Sequence, residues 1–143
     1  MCAFDASEER LAALREAILE RGIANIEAFV GNATEQISVD DNRIDVCLMA
    51  NVFHEPLENG AVEGELREIK RVLKRSGILA LADFKKDVVP PIGPLSSVRL
   101  TPEEVDGIFG QYGFKRERSI DIDPYHYLVF FTSALEEDDH ARI

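Results

Sequence analysis

The sequence predicts an α/β domain with a mostly parallel sheet that closes in an antiparallel hairpin. Three observations carry this reading. Short apolar runs alternate along the chain with longer amphipathic segments, as strands alternate with helices in α/β domains. Two of the runs, Ile44–Val52 (IDVCLMANV) and Ile78–Phe84 (ILALADF), are nearly continuous in apolar residues, which suits strands covered on both faces. The last two runs, Lys115–Ile122 and Tyr125–Ser133, are joined only by Asp123-Pro124, too short for a parallel crossover.

The elements follow in order. MCAFD at the start is a short apolar run ending in an acid. Ser7–Arg21 reads as a helix, with Leu11, Leu14 and Ile18 on one face, Ser7 as its cap, Glu8 and Glu9 in the dipole-favoured first turn, and Gly22 as its stop. Ile26–Val30 is a second strand, followed by a Gly31-Asn32 turn, and Ile44–Val52 is the third. Ala61–Arg75 is the next helix, with an apolar stripe of Val62, Leu66, Ile69 and Leu73 and with Gly77 as a C-terminal stop. Its Arg67, Lys70, Arg71 and Lys74 lie on another face, expected to be solvated. Ile78–Phe84 is a buried-type strand, and residues 87–99 form a loop containing Pro90, Pro91, Gly93 and Pro94. Thr101-Pro-Glu-Glu104 joins a capping box to a proline at the first helical position, and Val105, Ile108, Phe109 and Tyr112 continue that helix to Gly113. In the hairpin, alternation puts Tyr125, Tyr127, Val129 and Phe131 on one face and His126, Leu128 and Phe130 on the other. The order is β-α-β-β-α-β-α-β-β, with residues 1–135 as one domain and 136–143 as an acidic tail.

Composition narrows the function classes. With 143 residues the chain is one domain, and 27 Asp plus Glu against 16 Lys plus Arg give a net charge of −11. That argues against nucleic acid as the main partner and against an anionic membrane surface, because both need cationic surface. No apolar run approaches the ~20 residues of a membrane span. The N-terminus lacks the basic region and long apolar stretch of a secretion signal, so a reducing cytoplasm is the expected location. Cys2 and Cys47 read as small core hydrophobes, and three dispersed histidines give no metal-ligand spacing.

Several segments, taken in order, resemble the class I S-adenosylmethionine (SAM)-dependent methyltransferases. AFDASEERL resembles the end of that family's second strand with its ribose-binding acid, and FVGNATE the third strand with the adenine-side turn. DNRIDVCLMANVFHE resembles the fourth strand and the segment beneath the methionine part of the cofactor. LREIKRVLKRSGILALADF resembles the helix and fifth strand that usually read L-x-E-x-x-R-V-L-K-P-G-G, and LTPEEVDGIFGQYGF with PYHYLVFF resembles the C-terminal end. The resemblance implies a Rossmann-like methyltransferase fold, SAM as cofactor, and methyl transfer to a small-molecule acceptor. It implies that Asp5 with Ala6 holds the ribose, Asn32 and Ala33 the adenine, and Asn51 and Val52 the methionine side, with His54 as the candidate catalytic base. Each position also has a plainer reading. Asp5 is equally a helix N-terminal acid, Asn32 a turn residue, His54 a surface histidine at a strand end, and His126 a packed hairpin residue. Lys85 and Lys86 end the fifth strand, where an anionic substrate would approach.

The family's opening unit, a strand, a glycine-rich loop roughly (V/L)-D-x-G-x-G-x-G and a helix, has no counterpart in these residues. In the family that strand lies between the second and the fourth, so its loss leaves a gap in the sheet. Three outcomes are open: a longer gene product that starts upstream, a homodimer or partner chain that supplies the strand, or direct pairing of residues 2–5 with the 44–52 strand and a reduced pocket. The alternative function is a non-catalytic binding or assembly module. A nicotinamide-dependent dehydrogenase would use an acid at Asp5 too, but the GxGxxG fingerprint is missing and the terminal hairpin is unaccounted for.

Overall fold

The computed structural model describes residues 1–86 and 99–133. Strand β1 (Cys2–Asp5) leads into helix α1 (Glu8–Glu20), whose cap Ser7 accepts the Arg10 amide on its hydroxyl. Strand β2 (Glu27–Val30) runs parallel to β1. There follow β3 (Ile44–Ala50), a short helix α2 (His54–Asn59), α3 (Val62–Val72), β4 (Leu73–Phe84), α4 (Pro102–Gln111) and the hairpin of β5 (Phe114–Asp121) and β6 (His126–Ser133). Thr101 and Glu104 form both halves of the expected capping box. The proline-rich loop expected over 87–99 lies outside the described residues except for Arg99, and the acidic tail lies wholly outside them. No described helix is long and apolar enough to cross a membrane.

The strands form two sheets, β1-β2 and β3-β4-β6-β5. β3 and β4 are parallel, while β6 is antiparallel to both β4 and β5, as the Asp123-Pro124 connection requires. No ladder joins β1 to β3 among the described residues. The gap therefore stays open, and direct pairing of the first strand with the 44–52 strand does not occur.

The open edge corrects another expectation. β3 is not covered on both faces: Val46 and Leu48 are 57% and 62% exposed. Cys47 and Met49 point to the opposite face, where Leu79, Leu81, Val129 and Phe131 pack against Leu66, Ile69 and Val72 of α3 and Val105 and Phe109 of α4. Both helices serve the same face, so the apolar run of β3 is half unused. Cys2 is also exposed rather than a core residue, because β1 pairs along one edge only.

Two local expectations change. Gly77 does not stop α3. The helix ends earlier, at Leu73, whose extended backbone already begins β4. A Cβ at Gly77 would lie 2.8 Å from the Lys74 carbonyl oxygen and 3.2 Å from that of Ile44, so glycine permits the close pass where the β3–β4 register is irregular. Lys70 is not a solvated charge. Its ammonium donates to the carbonyls of Tyr112 and Gly113 and sits over the Phe114 ring, tying α3 to the α4–β5 turn.

With no shared ladder, α3 holds the two sheets together through the 32–41 segment. Gly64 lies so close to Thr34 that a Cβ would strike its carbonyl oxygen. Glu68 accepts the Ile37 amide at 2.8 Å, and Arg71 donates to Glu68, to Asp41 and to the carbonyls of Ile37 and Val39. Arg71 beside it holds the Glu68 carboxyl below the usual carboxylate range. Arg71→Ala strips four partners at once and is expected to lower stability by about 2 kcal/mol. A urea midpoint within error of wild type would contradict this.

Candidate functional site

The turns that follow β1, β2 and β3 face one another across a cleft of about 420 Å³, within the ~300–1,000 Å³ usual for small-molecule sites. This is the carboxyl end of the parallel strands, where open α/β sheets bind ligands. Asp5 and Ala6 line it from the end of β1, Asn32 and Ala33 from the turn after β2, and Val52 from the end of β3. Phe4, Glu55, Pro56 and Glu65 complete much of the remaining wall.

The individual side chains are partly committed to their own turns. Asp5 accepts the Ser7 amide on Oδ1 at 2.8 Å, the plainer helix-start role, while its other oxygen lies 3.7 Å from Arg10. Asn32 accepts both the amide and the hydroxyl of Thr34 on its side-chain oxygen. Its remaining side-chain polar group is therefore a donor, the NH2, rather than the acceptor that the resemblance implies. Arg10 reaches across the cleft, between Asp5 and Glu55. These contacts are long and the guanidinium is mostly solvated, so their contribution is small.

Two carboxyls, Glu65 in the cleft wall and Asp83 on β4, were not singled out by motif. Glu65 is 7% exposed, lines the cleft, and makes no hydrogen bond or ion pair among the described residues. Burial, and then the charge of Glu55, pushes its carboxyl up to about 7. Cys47 is lifted to about 11 by burial and, less, by Glu65. The sequence carried a signal for Glu65: it falls three residues after Val62 and four before Ile69, so a charge sits on the apolar stripe of α3. Asp83 follows Leu79 and Leu81 on the helix-covered face of β4 and accepts the Phe84 amide. Burial raises its carboxyl, opposed by the Phe84 hydrogen bond and then by His54, His126 and Arg99. Nothing in its local sequence marked it.

Asn51 and His54 do not line the cleft. Asn51 follows β3 in the left-handed region at φ 57°, its amide donating to the Ala82 carbonyl, a conformation asparagine tolerates better than most residues. His54 opens α2 rather than closing a strand. Its Nδ1 is buried and makes no hydrogen bond among the described residues. It shares the end of the four-stranded sheet with Asp83. Tyr127, paired opposite Asp83, donates its hydroxyl to the Leu100 carbonyl. His126 is a packed hairpin residue, its ring tilted against Phe84 at 4.4 Å and paired with Asp123. Lys85 and Lys86 are paired with Asp121 and Glu104.

Comparison with known proteins bears on the family and the fold. Residues 1–77 match the profile of a family described as a methyltransferase domain. A SAM-dependent methyltransferase from Aquifex aeolicus superposes with a TM-score of 0.81 at 29% identity, over 91% of this chain and 66% of that one. The PH0226 protein of Pyrococcus horikoshii gives 0.72 at 21% identity, over 93% and 71%. The [4+2]-cyclase SpnF gives 0.73 at 15%, over 92% and 65%, a likeness of fold alone. No curated protein matches the chain. The chain thus spans about two-thirds of the length of the Aquifex protein. The profile match over its first half, with the strand order β1-β2 beside β3-β4-β6-β5, shows that the chain belongs to the class I SAM-dependent methyltransferases.

Proposed function

We propose that residues 1–143 form the larger part of a methyltransferase that binds SAM in the cleft and methylates a small-molecule acceptor. The observation that carries this is the convergence of Asp5, Ala6, Asn32, Ala33 and Val52, distant in sequence, on one cleft at the carboxyl ends of the strands. The residues fit the cofactor on that side. Asp5 keeps an oxygen for the ribose hydroxyls, the Asn32 NH2 can donate to an adenine ring nitrogen, and the carboxylates of Asp5, Glu55 and Glu65 outnumber the Arg10 guanidinium among the described lining residues, which suits a cation.

When bound, SAM supplies a methyl group already activated for displacement. The chain's own work is then mostly alignment, which can lower a barrier by ~7–11 kcal/mol. His54 is the group to take a proton from the acceptor.

The gap between β1 and β3 receives a further strand with its glycine-rich loop, from the same polypeptide or from a partner chain. Val46 and Leu48 support this, since a helix following that strand would have apolar surface to cover. Without the loop, affinity is weak. One charge-assisted anchor such as Asp5 is worth ~1.5–3 kcal/mol, whereas even a millimolar site needs about 4 kcal/mol. SAM is therefore expected to bind residues 1–143 alone at millimolar concentration or weaker. Micromolar binding in isothermal titration would refute the need for a completing unit, and completion by that unit should restore tight binding.

A further inference from the structure

Glu65 poses a physical problem that the proposed cofactor site does not by itself resolve. The residue is 7% exposed and forms part of the cleft wall, yet no described donor or cation contacts its carboxyl. A buried carboxylate without a partner is costly, and such groups are retained where something else compensates them. Its surroundings make the cost worse. Glu55 on α2 repels it, Asp5 stands in the same wall, and the Cys47 thiol beneath it on β3 stays protonated. The lining cation, Arg10, is drawn to Asp5 and Glu55 instead. What would satisfy Glu65 is a positive charge carried into the cleft by the ligand.

We propose that Glu65 is a charge-selecting residue of the cleft, favouring the sulfonium form of the ligand over its neutral thioether. This rests on the cofactor reading above and adds to it a residue and a direction of selectivity. Methyl transfer removes the ligand's sulfonium charge, so the same carboxylate would hold the reactant and release the product. Burial strengthens the discrimination, because a charge contact away from water is less screened than one at the surface. Glu55 and Asp5 are more exposed than Glu65, so solvent weakens their contribution.

The test is a pair of NMR titrations, with SAM and with S-adenosylhomocysteine, on wild type and on Glu65→Gln. Amide shift changes measure millimolar affinities directly. Wild type is expected to prefer SAM, and Glu65→Gln to reduce the SAM-to-thioether affinity ratio about tenfold while the thioether affinity changes little. A residue with only a packing role would lower both affinities together and leave the ratio unchanged, which would overturn the proposal. Binding of both ligands by wild type with equal affinity would overturn Glu65's role while leaving the cofactor reading in place. Folding is controlled independently, since Glu65→Gln should melt no lower than wild type at pH 8. A lower melting temperature would show that the carboxylate is already compensated within the protein, and this too would overturn the proposal.

Discussion

Phe109→Ala is expected to cost about 4 kcal/mol and to leave a substantial unfolded fraction at 25 °C. Phe109 is completely buried on α4. Its ring meets Phe53 edge-on at 5.1 Å, Phe131 at 4.6 Å and Phe114 at 6.2 Å. It thus joins α4 to the segment entering α2 and to both strands of the hairpin. Alanine removes the transfer free energy of the ring and leaves a cavity that three stiff aromatic neighbours cannot close. Phe109→Leu keeps most of the volume and should cost less than about 1.5 kcal/mol. The chain has little in reserve, because one sheet has two strands and the other has an apolar face half open. Urea unfolding followed by circular dichroism measures both variants. A Phe109→Ala midpoint close to that of Phe109→Leu would contradict this account of the core.

The second large effect is linked to pH and comes from Glu65. Its carboxyl ionises near 7 in the folded chain against an ordinary value of 4.5. Between those values the folded state holds a proton that the unfolded state has released. Stability is therefore highest below about pH 4.5 on this account and falls as pH rises toward 7, by about 3 kcal/mol at most. Glu65→Gln removes the titration. The variant should match wild type near pH 5 and exceed it by about 3 kcal/mol at pH 8 or above. Asp83 has the same sign, because burial raises its carboxyl too, so Glu65→Gln will keep part of this slope. A wild-type-minus-variant difference that is flat from pH 5 to 8 would show that Glu65 is ionised and compensated throughout. This stability experiment needs no ligand, so it separates the burial of Glu65 from its role in binding.

The residues show why some features were legible and others were not. The capping box at Thr101 and Glu104, the Ser7 cap, and the Tyr127-Val129-Phe131 face all depend on neighbours within one turn or on strand alternation. The hairpin followed from the length of one connection. Gly77 was misread because a glycine after a basic helical turn looks like a stop, whereas here it permits a close pass between β4 and the start of β3. Lys70 was misread for a related reason: its carbonyl partners, Tyr112 and Gly113, lie more than forty residues on.

By itself, the sequence determined the family and the order of the strands and longer helices, but not the short helix α2 between β3 and α3. Only the tertiary structure decided that, among the described residues, β1 and β3 do not pair, one face of β3 stays open, and Glu65 is buried in the cleft wall without a partner. The physical reason is common to all three. Periodicity records which face of an element is apolar, but not what will cover it. Whether a strand edge is paired, a face is covered or a carboxylate is compensated depends on groups brought from elsewhere in the chain, and at this sheet's gap the residues present bring none.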